Sequence, residues 1–281
     1  MRAAVEVQPE WLARVPTERR LPAGRIVAAG CGTSFHAAQT TGNGIDALEF
    51  VLDPPDADVL VLVSHEGTTT FALEAAQAFA GPKWLVTGKP DSDLAALCDE
   101  VVVATPDVEQ SYCHTVSYTC AVAALATLRG EDVAWLPDAV AAELAGERFP
   151  VSEHERFLIA GAGRDWPTAQ EAALKLREGA YLPTEAHRLE ELLHGHLAAV
   201  DESVRCFVLE GEGRAQARAA EAVAALTEIG CDVELVPTRH PVVDIVRFQL
   251  LTLDLAETRG IDPDLIRWND PRWKAARDAY A

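Results

Sequence analysis

The chain has 281 residues, of which 49% are hydrophobic, and its 44 acidic and 24 basic residues give a net charge of −20 at pH 7. This length supports a full core and two domains of ordinary size, while the acidic balance argues against nucleic acid or an anionic membrane surface as partner. No apolar run reaches membrane-spanning length and the first residues lack the apolar core of a signal peptide, so the sequence predicts a cytoplasmic protein.

The first predicted strand, 25–29, runs into the turn GCGTS at 30–34 and a helix that starts at Ser34. Backbone N–H groups and two hydroxyls meet at such a turn, which favours an anion or a sugar oxygen as ligand. The turn begins like the dinucleotide fingerprint GxGxxG, but Phe35 occupies the third glycine position, so no nucleotide cofactor is predicted. A purely structural glycine turn is the less favoured alternative here, given Thr33 and Ser34.

Three further strands, at 59–64, 84–88 and 101–105, each precede a predicted helix. This alternation predicts a parallel sheet with helices on both faces. The strand at 59–64 ends in the glycine- and hydroxyl-rich loop SHEGTTT at 64–70. Because ligands of open parallel sheets bind beyond the carboxyl ends of the strands, this loop and the turn at 30–34 are expected to face one pocket.

The second half repeats the pattern from residue 157 onward, with the turn GAG at 161–163 and a long helix at 242–259. The repetition predicts an internal duplication with a domain boundary near residue 150. In this copy a compact glycine turn is as well favoured as a binding role. The tail after residue 260 contains Trp268 and Trp273, and we expect it to dock on the rest of the protein.

Six cysteines are scattered through the chain without a CxxC pair or a zinc-type spacing with histidine. They are interpreted as buried thiols in a reducing compartment, and no metal site is predicted. Cys31 lies in the first turn, but no base is near it in sequence, so a small buried thiol is favoured over a nucleophile.

Taken together, the motifs resemble the tandem SIS (sugar isomerase) domain family. They are the CGTS turn, the SHEGTT loop, Glu109 before a Ser/Thr-rich helix start, ALKLREGAY at 173–181 and EAHRLEELLHGHLA at 185–198. The last two resemble the isomerase half of glucosamine-6-phosphate synthase, and the ending resembles smaller SIS sugar isomerases and deaminases. The resemblance implies an α/β fold of two flavodoxin-like, Rossmann-like SIS domains, each a parallel sheet flanked by helices. Their expected bounds are 25–148 and 149–260, after an N-terminal segment 1–24 and before a tail 261–281 that closes over the site.

The resemblance also implies a division of catalytic roles. Glu178 matches the glutamate that moves a proton between C1 and C2, and His194 matches the ring-opening histidine, which reaches in from the neighbouring subunit of a homodimer. Lys274 is the candidate closing cation, with an ordinary exposed lysine as an equal alternative. The expected substrate-binding residues are Cys31, Gly32, Thr33, Ser34, Ser64, His65, Glu66, Thr69 and His114. For His114, a helix cap is the close alternative.

Residue chemistry supports these roles only in part. Glu171, Lys175 and Glu178 share one helix face. Their spacing alone favours an exposed ladder of ion pairs over a catalytic role for Glu178. His194 between a leucine and a glycine is ordinarily a capping or packed residue. Only the resemblance favours catalysis for Glu178 and His194.

Glu66 departs from the family, which usually has serine at this position. A carboxylate about 4 Å from a phosphate charge would cost roughly 4 kcal/mol at an effective dielectric near 20. We therefore expect phosphate binding that is weaker than in the synthase. The other possibilities are that Glu66 points away or that the ligand is an unphosphorylated or amino-bearing sugar.

The sequence thus predicts a sugar or amino-sugar phosphate isomerase or deaminase that uses neither metal nor nucleotide cofactor. Glutaminase activity is not expected, because no cysteine nucleophile follows Met1. A non-catalytic sugar-phosphate sensor is the leading alternative, and a degenerate pocket in a structural dimer is the third.

Overall fold

The computed structural model describes residues 1–279, and its first half builds one parallel five-stranded sheet. In chain order the elements are α1 (Arg2–Glu6), α2 (Gln8–Leu12), β1 (Ile26–Gly30), α3 (Thr33–Gln39), β2 (Gly44–Asp46), α4 (Ala47–Leu52), β3 (Val59–Val63), α5 (Thr70–Ala78), β4 (Lys83–Thr87), β5 (Glu100–Val103) and α6 (Val116–Leu128). The strand order is β2-β1-β3-β4-β5. Buried β-branched and leucine side chains fill β3, as expected for a strand covered on both faces.

The second half builds a parallel four-stranded sheet. Its elements are α7 (Leu136–Leu144), β6 (Arg156–Gly161), α8 (Trp166–Ala180), β7 (Thr184–Arg188), α9 (Leu189–Leu193), β8 (Val204–Leu209), α10 (Arg214–Ile229), β9 (Asp232–Val236), α11 (Pro241–Thr258) and α12 (Pro271–Asp278). The strand order β7-β6-β8-β9 repeats the order of the first four strands in the other sheet. The predicted α/β class with parallel sheets flanked by helices is confirmed.

Helices between the two sheets form a shared core. All thirteen residues of α6 are buried, because it is apolar all round and packs between the halves. The largest apolar cluster draws on both halves, and Phe149 lies within it, with its ring centroid 4.7 Å from Phe207 and 5.0 Å from Phe248. Phe149 therefore anchors the segment near residue 150 to the core, while the residues on either side of it are exposed.

The edge strands β2 and β7 were not predicted, since β2 has only three residues and β7 is largely polar. Gly44 at the start of β2 allows α3 to end close by, because a Cβ there would lie 2.3 Å from the backbone nitrogen of Gln39. Within residues 1–279, no helix is both long enough and apolar enough to cross a membrane.

Candidate active site

A cavity of about 670 Å³ opens at the carboxyl ends of β1, β3, β4 and β5. Both glycine- and hydroxyl-rich loops line it, as does Glu178 from α8 of the other half. All nine residues expected to bind substrate lie on its wall: Cys31, Gly32, Thr33, Ser34, Ser64, His65, Glu66, Thr69 and His114. The first turn needs its glycines, because a Cβ on Gly30 would lie 2.6 Å from the backbone of Ser34 and Gly32 has a φ of 54°.

The loop after β3 is held by its own hydrogen bonds. The Ser64 hydroxyl accepts the backbone N–H of Gly67 at 3.2 Å and lies 3.4 Å from the hydroxyl of Thr69. Gly67 adopts a φ of 67°, which glycine tolerates. The loop therefore presents its hydroxyls and the start of α5 to the cavity in a fixed arrangement.

His65 lines the cavity as a neutral imidazole. Burial lowers its pKa to about 4, with a further contribution from His114, while Glu109 acts in the opposite direction. Its Nε2 accepts the backbone N–H of Glu109 at 2.8 Å. This hydrogen bond positions the loop before α6, and it already uses the Nε2 of His65 as an acceptor within the protein.

Glu109 anchors the N-terminus of α6, a role that sequence reasoning did not assign. Its carboxylate accepts the backbone N–H and hydroxyl of Thr115 and of Ser117, at 2.6–3.0 Å. Burial raises its pKa, but His114 and the Ser117 hydrogen bonds outweigh burial and the pKa falls to about 2. His114 itself lies 3.1 Å from the Ser117 hydroxyl while also lining the cavity.

A buried ion cluster holds Glu178 at the cavity. Lys175 Nζ lies 2.7 Å from Glu178 Oε2 and 3.3 Å from Glu171 Oε1, and it donates to the carbonyl of His114 at 2.9 Å. The side chains of Glu171 and Lys175 are fully buried, whereas that of Glu178 is 25% exposed. The exposed-ladder alternative is therefore wrong.

The opposite charges in this cluster stabilise each other's ionised forms. Burial alone would lower the pKa of Lys175, but Glu171 and Glu178 outweigh it and the pKa lies well above the usual value. Burial would raise the pKa of Glu171, but Lys175 and His36 outweigh it and the pKa is lowered. Both groups are thus charged at neutral pH, and Glu178 faces the cavity beside a fixed cation.

The same cluster links the two halves of the chain. Thr33, in the first ligand turn, donates to Glu171 Oε1 at 3.2 Å and accepts from Lys175 at 3.2 Å. His36 Nδ1, one turn along α3, lies 2.7 Å from Glu171 Oε2. The spacing of Thr33 and His36 on one helix face was the available signal for their joint role.

The two remaining predicted catalytic residues lie outside this cavity in the single chain. The side chain of His194 is 86% exposed, at the end of α9, and its Nδ1 lies 3.7 Å from Glu190. Lys274 on α12 is 69% exposed and pairs with Asp278 at 3.2 Å. Their catalytic roles stay predictions.

The tail lines the cavity through Ile266 and Trp268, and not through Lys274. The ring of Trp268 stacks on Tyr112 with centroids 4.6 Å apart, and the backbone N–H of Tyr112 donates to the carbonyl of Asp264. The tail residues Tyr280 and Ala281 lie outside the described residues. Among residues 1–279, no group of three or more His, Cys, Asp or Glu side chains is placed to hold a metal ion.

These features define a class of site: hydroxyl-rich loops at the ends of a parallel sheet, facing a carboxylate beside a buried lysine. Such a site suits a small polyhydroxylated ligand and proton transfer at carbon. The family model described as SIS domain matches residues 151–261 of the chain.

Known proteins resemble the chain over most of its length. The glutamine–fructose-6-phosphate aminotransferase [isomerizing] of Gloeobacter violaceus is 27% identical over 85% of this chain and 50% of its own length. The chain thus spans about half the length of this curated relative. The structure of glucosamine-6-phosphate deaminase from Thermotoga maritima has a TM-score of 0.76 at 19% identity, covering 94% of this chain and 96% of its own. The C-terminal domain of glucosamine-fructose-6-phosphate aminotransferase from Francisella tularensis has a TM-score of 0.77 at 20% identity, covering 93% and 96%.

Proposed function

We propose that this protein is a sugar or amino-sugar phosphate isomerase or deaminase in which Glu178 transfers a proton between C1 and C2. The observation that carries the proposal is the position of Glu178: it lines the same cavity as the loops at 31–34 and 64–69. The relatives named as phosphosugar enzymes support the substrate class.

The chemistry needs a carboxylate base that reaches two adjacent carbons and stays ionised until it takes the proton. Lys175 Nζ donates to Glu178 Oε2 at 2.7 Å and so fixes the orientation of this carboxylate at the cavity. The hydroxyls of Thr33, Ser34, Ser64 and Thr69 supply donors and acceptors for the sugar.

We further infer a homodimer in which His194 of each subunit serves the other subunit's site as the ring-opening group. The 86% exposure of this side chain leaves the imidazole available to a neighbour. The shared strand order of the two sheets supports an origin as two SIS units, 25–148 and 149–260. In this proposal the tail from residue 261 closes over the site, and Lys274 approaches the substrate only when the tail rearranges.

The test follows the proton directly. Each of a set of hexose and hexosamine phosphates is incubated in D₂O with the protein, and deuterium incorporation at C2 is recorded by NMR. We expect exchange with at least one compound, at least about a hundredfold slower exchange for Glu178→Gln, and no change for Glu257→Gln, whose carboxylate lies on the surface and pairs with Arg2. Tight binding without exchange for any compound would favour a sensor instead.

A further inference from the structure

A second cavity, of about 420 Å³, adjoins the first at Glu178, the proposed catalytic base. Glu178 and Ile266 line both cavities. The other lining residues of the second cavity are Arg177, Tyr181, Leu182, Pro183, Arg267 and Trp273. A ligand whose C1 and C2 lie at Glu178 therefore has space on both sides of the reacting carbons.

The second cavity is positively charged, although the chain as a whole carries −20. Two guanidinium groups, of Arg177 and Arg267, line it, and its one lining carboxylate, Glu178, is already paired with Lys175. Neither guanidinium lies within 4.0 Å of a carboxylate oxygen within residues 1–279, whereas Arg164 and Arg218 pair with glutamates. Guanidinium groups that lack a carboxylate partner among the described residues and line one concavity have the chemistry to bind an oxyanion.

Arg267 is held in position by its surroundings. Its guanidinium lies 4.0 Å from the ring centroid of Tyr181 and 4.2 Å from that of Trp273. Its backbone N–H donates to the Tyr181 hydroxyl at 2.9 Å. Ile266 and Arg267 have φ values of 36° and 58°, a left-handed backbone that non-glycine residues adopt only where packing maintains it. The fold therefore keeps this guanidinium at the cavity.

The first cavity has the opposite character. Its lining carboxylates are Glu66 and Glu178, and no arginine or lysine is among the residues that line it within the described chain. A second anionic group, in addition to the phosphate, is therefore better accommodated beyond Glu178 than beside Glu66.

We propose that the cavity of Arg177 and Arg267 binds an anionic group that the substrate carries next to its reacting carbons, such as the carboxylate or phosphonate of an amine joined to the sugar. The proposal rests on the proposed function, because Glu178 defines where C1 and C2 lie. It names a sugar with a nitrogen-linked, oxyanion-bearing group as the substrate class.

The experiment compares three 1-amino-1-deoxy derivatives of fructose 6-phosphate, called adducts below, in which the nitrogen of an amine is attached to C1 of the sugar. The glycine adduct carries a carboxylate, the aminomethylphosphonate adduct carries a phosphonate, and the ethylamine adduct carries neither. Dissociation constants are measured by calorimetry in the Glu178→Gln background, so that the ligand is not consumed. Arg267→Met and Arg177→Met are compared with Arg214→Met, which changes an exposed arginine outside both cavities. Arg177 lies on α8, so its variant leaves the tail contacts of Arg267 intact.

We expect one anionic adduct to bind at least about tenfold tighter than the ethylamine adduct, and either cavity variant to remove that preference. The adduct with the larger dependence on arginine identifies the anion. Equal affinity for all three adducts, or equal weakening of all three by the arginine variants, would overturn the inference. If fructose 6-phosphate exchanges deuterium in the unmodified protein while no anionic adduct is preferred, only this inference fails. If no sugar phosphate binds at all, the proposed function fails with it.

Discussion

Replacing Lys175 by methionine tests the buried ion cluster, because the change removes the cation and keeps most of the side-chain length. Glu171 would remain fully buried, with Thr33 and His36 as its remaining partners. Removing one partner of a buried ion pair costs about 3–5 kcal/mol, since the other charge is left without its counter-ion.

This cost translates into a large change in melting temperature. At about 2–4 °C per kcal/mol for a chain of this size, Lys175→Met should lower Tm by roughly 6–20 °C. The loss should shrink as pH falls, because protonation of Glu171 removes the uncompensated charge. Adding Glu171→Gln to the variant should recover part of the stability for the same reason.

Differential scanning calorimetry of Lys175→Met and Lys274→Met provides the measurement and its control. Lys274 and Asp278 form an exposed pair, with side chains 69% and 64% accessible, which is worth only about 0.3–0.5 kcal/mol. The control should therefore melt within about 2 °C of the unmodified protein. A Lys175→Met protein that melts as high as the control would refute the argument that buried Glu171 depends on Lys175 as its counter-ion.

Two further predictions concern single carboxylates. In a calorimetric titration, Glu66→Ser should bind a hexose 6-phosphate more tightly than the unmodified protein does. The gain should reach up to about a thousandfold if the carboxylate lies about 4 Å from the phosphate. Tight binding that the substitution leaves unchanged would show that Glu66 points away from the phosphate. Burial raises the pKa of Asp244 to about 7, although backbone N–H groups of Arg239 and His240 act against it. Because the folded state then binds the proton more tightly than the unfolded chain, Asp244 should reduce the free energy of unfolding by up to about 4 kcal/mol as pH rises from about 4 to 7. Urea unfolding across that range should show a weaker pH dependence for Asp244→Asn, and parallel curves would contradict the assignment.

The strands and the ligand loops could be predicted from sequence because their signals are local. Apolar runs of four to six residues followed by glycine turns mark β1, β3 and β6, and the parallel topology brings the loops at 31–34 and 64–69 to one edge of the sheet. The edge strand β7 was missed because TEAHR lacks the apolar character of a central strand.

The burial of Lys175 could not be predicted, since the helical spacing of its partners is the same in an exposed ladder and in a buried cluster. What decides between them is the other half of the chain: α3 packs on α8 and supplies Thr33, and the loop before α6 supplies the carbonyl of His114. The role of His194 stays a prediction, because its side chain is exposed in the single chain.

Glu178 lies on one half of the chain and the two hydroxyl-rich loops lie on the other, although all of them line one cavity. Under the proposed function, this placement separates recognition from reactivity in the gene. A substitution at position 66 would then alter which molecules are admitted, while α8 keeps the buried partners of Glu178, so lineages of this architecture could explore new metabolites through two short loops.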